Sequence, residues 1–162
     1  MIDDDKRELL MKLWLFFVVA TILCWGAYVP TLHGGQISFG GKSAALRAFI
    51  FVGVAYFLIA AAVLAYVLVT KAEPLEVTRR GVSLSTLAGV LGALGAIGIV
   101  FALRHGGRPI YVAPIVFAGA PIVNTIVSMI WHRPANPPHP LFLAGILLAA
   151  VGASMVLRFK PV

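Results

Sequence analysis

Two prolines, an amide and two hydroxyl side chains lie within a long uncharged stretch of the sequence, where they could bind a solute. The stretch, residues 110–131, contains Pro114, Pro121, Asn124, Thr125 and Ser128. As a helix rising about 1.5 Å per residue it reaches roughly 33 Å, enough to cross a bilayer core of about 30 Å. Each proline removes a backbone donor and frees a carbonyl one turn earlier. The stretch therefore predicts a membrane helix with hydrogen-bonding groups at bilayer depth.

These polar and proline positions share one side of the predicted helix. Positions 114, 118, 121, 125 and 128 follow the three-to-four spacing of a helical stripe, and Asn124 lies beside it. We expect this face to line a cavity or a helix interface. A simpler interpretation stays open, in which the prolines bend a packed helix and Asn124 bonds the backbone of a neighbour.

Further candidate residues lie in the first two predicted helices. Tyr56 falls near the middle of the second, where a phenol hydroxyl needs another helix or a wet cavity as its partner. Pro30 is expected to end the first helix, and a compact turn is expected to follow it. A predicted vestibule combines aromatic residues before this proline with polar residues after it: Trp25, Tyr28, His33 and Gln36. Trp25 and Tyr28 could equally be ordinary aromatic residues of the membrane interface.

The composition places these residues in a membrane protein. Of 162 residues, 60% are hydrophobic and only 12% are charged, whereas soluble domains are about a quarter charged. The net charge of +7 comes from basic residues divided among the tails and every loop. Such residues are expected to set topology and contact membrane lipids, and nucleic acid is not expected as a partner.

Hydropathy predicts an all-α, polytopic membrane protein with five transmembrane helices. Their approximate bounds are 9–30, 46–69, 82–103, 110–131 and 141–157. The connections between them are too short for an extramembrane domain, so residues 1–162 are expected to form one transmembrane domain. Whatever the chain does, it is expected to do within the membrane.

Glycines on two predicted helices indicate close helix packing. Small residues four apart allow helix backbones to approach, and the third helix pairs Gly89 with Ala93 and Gly92 with Ala96. The predicted packing glycines, on the third and fifth helices, are Gly89, Gly92, Gly95, Gly98, Gly145 and Gly152. A glycine-rich nucleotide loop is excluded in the third helix, because that loop needs a preceding strand.

Several kinds of chemistry have no residues to support them. All six acidic residues lie outside the apolar stretches, so an antiporter mechanism based on an intramembrane glutamate is a poor match. Cys24 is the sole cysteine, and the histidines lie at predicted helix ends or in loops. We therefore expect no metal, no cofactor and no enzymatic activity.

Basic residues barely distinguish the two sides of the membrane. With five spans, seven Lys and Arg residues fall on the side of the N-terminus and six on the other. The positive-inside rule then gives almost no preferred orientation. Two copies inserted in opposite directions could form the inverted repeat on which many transporters are built.

Several segments together resemble a transporter family. They are Trp25-Gly26-Ala27-Tyr28-Val29-Pro30, Leu32-His33-Gly34-Gly35-Gln36, the Gly-Ala pattern of the third helix, Gly106-Gly107-Arg108-Pro109 through Val112-Ala113-Pro114, Gly119-Ala120-Pro121-Ile122-Val123-Asn124, and residues 145–152. The chain resembles, over nearly its whole length, an EamA-type half of the drug/metabolite transporter superfamily. The tryptophan-glycine segment and the histidine-glycine-glutamine segment are also similar to the bacterial sugar-uptake branch of that superfamily.

The resemblance implies a helical carrier of small metabolites that works by alternating access in the bacterial inner membrane. Five helices in place of the usual ten imply a second copy or a homologous half as partner. The substrate expected from the aromatic and amide groups is a neutral polar solute or a sugar. Two alternatives stay open: a non-transporting subunit whose glycine faces bind partner helices, and a flippase for lipids or lipid-linked sugars.

Overall fold

The computed structural model describes residues 4–40, 44–131, 134 and 136–161, with side-chain surroundings described from residue 12 onward. Five α-helices contain almost all of this part of the chain: α1 Asp4–Phe39, α2 Ala44–Thr70, α3 Arg79–Arg104, α4 Pro109–Trp131 and α5 Pro140–Arg158. No strand occurs among the described residues. The predicted all-α class is confirmed.

All five helices are long and apolar enough to cross a membrane. The shortest, α5, has 19 residues, and about 20 residues are needed to cross the hydrocarbon core. Large aliphatic and aromatic side chains are exposed along every helix, as on Phe57 of α2 and Leu148 of α5. In water this much exposed apolar surface would be unfavourable, whereas in lipid it is expected. The chain is therefore an integral membrane protein.

The predicted end of the first helix at Pro30 is wrong. The helix continues through Pro30 and through the segment expected to form a turn, and it ends at Phe39. A proline inside a helix costs one backbone hydrogen bond, which burial on the same helix can offset. Val29, Leu32 and Gln36, spaced three and four residues apart, are all buried. Packing of this face thus outweighs the helix-breaking tendency of the proline.

Contacts between Cα atoms divide the chain into two compact units. Unit 1 contains Met1–Thr31 and Gly107–Val162, and unit 2 contains Leu32–Gly106. The division falls inside α1, directly after the turn that contains Pro30. The prediction of one domain over residues 1–162 stays a prediction.

Unit 2 has a small packed core at one end of its helices. Its buried apolar residues come from the end of α1, the start of α2 and the end of α3: Leu32, Ala44, Ala45, Ala48, Ile99, Val100 and Leu103. The alanines at the start of α2 present little side-chain bulk, which allows close packing. From residue 50 to residue 95, almost every described side chain of α2 and α3 is exposed. The core of unit 2 is therefore confined to one end.

A short connection joins α1 to α2 at this end. Gly40 adopts a positive φ of 66°, a conformation that favours glycine. The Arg47 guanidinium donates hydrogen bonds to the carbonyls of Phe39, at 3.3 Å, and of Gly40, at 2.9 Å. It also lies 5.6 Å from the centroid of the Phe39 ring, which stacks on Phe51. One arginine of α2 thus bonds the last carbonyl of α1 and the carbonyl of the glycine that follows it.

Unit 1 is built on the contact between α4 and α5. Half-buried residues on α4 recur at three-to-four spacing: Ile115, Ala118, Ile122, Thr125 and Met129. On α5 they are Ile146, Ala149, Ala150, Ala153 and Val156. This is the pattern of two helices packed along a shared seam. Helix α4 runs unbroken through Pro114 and Pro121.

Candidate functional site

The predicted stripe on α4 is divided by the packing of unit 1. Ala118 and Thr125 are half-buried on the side that packs along α5. Pro114, Pro121, Asn124 and Ser128 are exposed. We call these four residues the open face of α4. Their spacing places them within about a third of the helix circumference, at 100° per residue. The chain therefore leaves a polar, proline-containing helix face at bilayer depth uncovered by its own side chains.

The hydrogen bonding of side-chain hydroxyls also distinguishes α4 from α1, α2 and α5. In α1, α2 and α5, hydroxyl groups donate to the carbonyl four residues earlier: Thr21 to Phe17, Thr31 to Ala27, Ser38 to Gly34, Thr70 to Tyr66 and Ser154 to Ala150, at 2.7–2.9 Å. Such bonds satisfy a hydroxyl within its own helix.

Three polar side chains in the second half of α4 make no such bonds. Within the described part of the chain, Asn124, Thr125 and Ser128 form no side-chain hydrogen bond. Ser85 and Thr86 on α3 also form none. An amide in the middle of an apolar helix needs a partner, because an unmet polar group in hydrocarbon is costly. Water, a solute or a second chain must therefore meet Asn124.

Aromatic side chains of α1 lie against α4 within unit 1. The Trp25 ring contacts Phe117 edge to face, with centroids 5.9 Å apart, and lies 6.5 Å from the Tyr28 ring. Phe117 lies on α4 between Pro114 and Pro121 and projects close to the open face. The structure thus places one predicted vestibule residue, Trp25, against the proline-containing part of α4, and the second, Tyr28, beside Trp25 on α1.

The other two vestibule candidates lie in the packed end of unit 2. Gln36 is 8% exposed, and its side-chain Nε2 donates to the Val100 carbonyl at 3.4 Å. His33, one turn earlier, is half-buried, and its Nδ1 is enclosed without a hydrogen-bond partner among the described residues. Gln36 therefore joins α1 to α3. The predicted turn around these residues does not exist, because both are on α1.

Tyr56 lies in the exposed middle of α2. Its side chain is 59% exposed and forms no hydrogen bond with a described residue. Tyr56 belongs to unit 2, whereas the α4 candidates belong to unit 1. Its assignment to the same cavity as Asn124 stays a prediction.

The predicted packing glycines have space around them. A Cβ atom added at Gly89, Gly92, Gly95, Gly98, Gly145 or Gly152 would meet no described atom within 4 Å, apart from the backbone of its own helix. Close helix contacts at these glycines are thus not made with the described part of the chain. As contacts with another chain they stay a prediction.

A groove on α5 was missed by sequence reasoning. It has a volume of about 370 Å³ and is lined by Ala150, Val151, Ser154, Met155, Arg158 and Phe159. None of the predicted cavity or vestibule residues lines it. A signal was present in the sequence, because Ala150, Ser154 and Arg158 are four residues apart and place two small side chains before a cation.

The chemistry available at the membrane-embedded candidates is hydrogen bonding and aromatic contact. Within the described residues, no group of three or more His, Cys, Asp or Glu is placed to hold a metal ion. The acidic residues lie before residue 9 or in the α2–α3 loop. The open face of α4 can therefore bind a neutral polar group, whereas it has no charge of its own to pair with an ion.

No protein-family model, curated protein or solved structure matches this chain. The resemblance to EamA-type transporters thus stays a prediction based on the residues quoted above.

Proposed function

We propose that this protein is a membrane carrier of a small, neutral polar metabolite, in which the open face of α4 meets the solute. The observation that carries the proposal is the lack of any hydrogen bond at Asn124, Thr125 and Ser128 within the described chain. Amides and hydroxyls are favourable at bilayer depth only where something bonds them. A translocated solute with hydroxyl or amide groups provides such bonds, and the prolines supply unpaired carbonyls on the same helix.

The proposed carrier contains at least two copies of the chain or one copy with a homologous half. Pro114, Pro121 and Ser128 are exposed in the single chain, and a path through hydrocarbon must be enclosed on all sides. A second five-helix chain would cover this face and complete a ten-helix carrier of the EamA type. Its proposed location is a bacterial inner membrane.

Transport by the purified protein tests the proposal. Reconstituted into liposomes, the protein is expected to catalyse counterflow of at least one solute in a panel of sugars, polyols and neutral amino acids. Asn124→Ala is expected to lower that flux by roughly five- to 150-fold, because a lost hydrogen bond in a desolvated site costs about 1–3 kcal/mol. Thermal unfolding and the mass of the detergent-solubilised assembly should stay unchanged.

Thr70→Val provides the matched control for this experiment. The Thr70 hydroxyl is exposed but already bonded to the Tyr66 carbonyl at 2.7 Å, so its loss should leave flux unchanged. Ser128→Ala, which removes an unbonded hydroxyl from the open face of α4, should reduce flux. Equal flux for wild type and Asn124→Ala would show that the site assignment is incorrect.

A second candidate function is favoured by the glycines. Six predicted packing glycines have open space where a side chain would be, so α3 and α5 could each accept a partner helix at close range. The protein would then be a non-transporting subunit of a larger membrane assembly. In that case no solute is transported, and Gly92→Leu removes a co-purifying membrane protein while the control Gly53→Leu on α2 does not.

A further inference from the structure

The groove on α5 lies beside the seam with α4. Both include the half-buried Ala150, but the groove is centred on Ser154 and Arg158, roughly a third of a turn around the helix from the other seam residues. No residue of α5 is fully buried. Because α5 is apolar and long enough to span the membrane, its groove opens toward hydrocarbon.

The groove is apolar along its length and cationic at one end. Its only hydroxyl, on Ser154, donates to the Ala150 carbonyl at 2.9 Å and is therefore already satisfied. From Ala150 to Arg158 it extends about 12 Å along the helix axis. Arg158 lies in the last turn of α5, where the chain leaves the membrane. The apolar groove thus ends at a positive charge at the level of the lipid headgroups.

The cations at this end have no acidic partner among the residues that the structure describes. Arg158 lies 5.6 Å from the centroid of the Phe159 ring, and Lys160 lies 5.2 Å from that of Tyr111. Neither forms an ion pair with a described residue. The aromatic rings hold both cations near the interface without neutralising them. Both charges can therefore accept an external anion.

We propose that the α5 groove binds an anionic phospholipid, with an acyl chain along Ala150 and Ser154 and the phosphate against Arg158. Charge complementarity and position support this occupant: the apolar part matches a chain, and the guanidinium offers paired donors for phosphate oxygens. Arg158 also interacts favourably with the helix C-terminus, but that role requires no groove.

Arg104 is the matched control for Arg158. It too ends a helix, lies over a preceding phenylalanine ring at 5.9 Å and forms no ion pair with a described residue. It does not line the α5 groove. A general attraction of basic residues to anionic membranes would act on both arginines, whereas the proposed site depends on one.

The test is lipid binding to the full-length protein in detergent, measured by native mass spectrometry with dioleoylphosphatidylglycerol and dioleoylphosphatidylcholine. Wild type is expected to prefer the anionic lipid at least fivefold, since one basic residue contributes about 1 kcal/mol. Arg158→Gln should abolish this preference, and Arg104→Gln and Arg158→Lys should retain most of it.

A groove-filling variant separates the acyl chain from the headgroup. Ser154→Leu is expected to weaken binding of both lipids, and soluble glycerol phosphate should not displace the bound phosphatidylglycerol. The proposal is overturned if wild type binds the two lipids equally, if Arg104→Gln has the same effect as Arg158→Gln, or if glycerol phosphate competes fully. It is also overturned if Ser154→Leu changes the number of copies in the assembly, because a second chain would then occupy the groove.

Discussion

Two side-chain amides in this protein are used in opposite ways. Gln36 is buried in the packed end of unit 2 and bonds the Val100 carbonyl of α3, so it stabilises the single chain. Asn124 is exposed on α4 and bonds nothing in the described chain. The same chemical group therefore makes a hydrogen bond between two helices in one region and stays available for an external partner in the other. We infer that polar groups in apolar helices must be sorted by burial before a binding role is assigned to them.

The mutation with the largest expected effect on stability lies in the packed end of α2, and its control lies in the exposed middle of the same helix. Ala48 is buried, at 5% exposure, whereas Ala61 is exposed on the same helix. Ala48→Leu should lower the free energy of unfolding by about 1–3 kcal/mol, because the core must accommodate extra volume. Ala61→Leu should change it by less than about 0.5 kcal/mol. Thermal unfolding in detergent measures both, and equal shifts would contradict a core confined to one end of unit 2.

Replacing each of the two amides in turn compares them directly, and the expected effect on stability is smaller. Gln36→Leu removes the bond to Val100 and should destabilise the solubilised chain by about 1 kcal/mol. Asn124→Leu should leave thermal unfolding within about 0.5 kcal/mol of wild type, since no bond within the described chain is lost. Its effect should appear in counterflow. If Asn124→Leu destabilises the chain as much as Gln36→Leu does, Asn124 has a structural role.

The smallest expected effect on stability concerns the connection between α1 and α2 at the packed end of unit 2. Arg47→Gln loses the bonds to the Phe39 and Gly40 carbonyls and should lower the unfolding free energy by about 0.5 kcal/mol, as is usual for exposed charges at helix ends. Arg79→Gln in the first turn of α3 is the control. Both arginines lie in a first turn, where a cation is unfavourable to the helix dipole, but Arg79 bonds no described carbonyl, so its loss should be neutral or slightly stabilising. A larger loss at Arg79 than at Arg47 would contradict this account of the connection.

Hydropathy predicted most of the fold. The bounds of α2 to α5 differ from the predicted ones by at most three residues, because an uninterrupted apolar stretch between charged or proline-rich segments specifies a membrane helix. The first helix was predicted too short at both ends. Pro30 and the glycines after it disfavour helix locally, and the burial of Leu32 and Gln36 that offsets this depends on α3, sixty residues away.

The candidate site was predictable in part. The three-to-four spacing placed the α4 residues on one stripe with Asn124 beside it, but it could not show that Thr125 packs toward α5 while Asn124 and Ser128 stay exposed. The spacing also could not assign Tyr56 and Asn124 to different units. The α5 groove was missed because small residues in a membrane helix suggest packing, and only the position of α4 shows which of them are left uncovered.

The length of α1 has a consequence for how this protein responds to its membrane. Its 36 residues extend about 54 Å, roughly 24 Å more than the hydrocarbon of an average bilayer. The helix must therefore tilt, or part of it must project into water, and the balance between the two depends on bilayer thickness. A thicker membrane would cover the exposed side of the segment after Pro30 with acyl chains, whereas a thinner one would leave it hydrated. Lipid chain length is therefore a physical control on the polar end of the first helix.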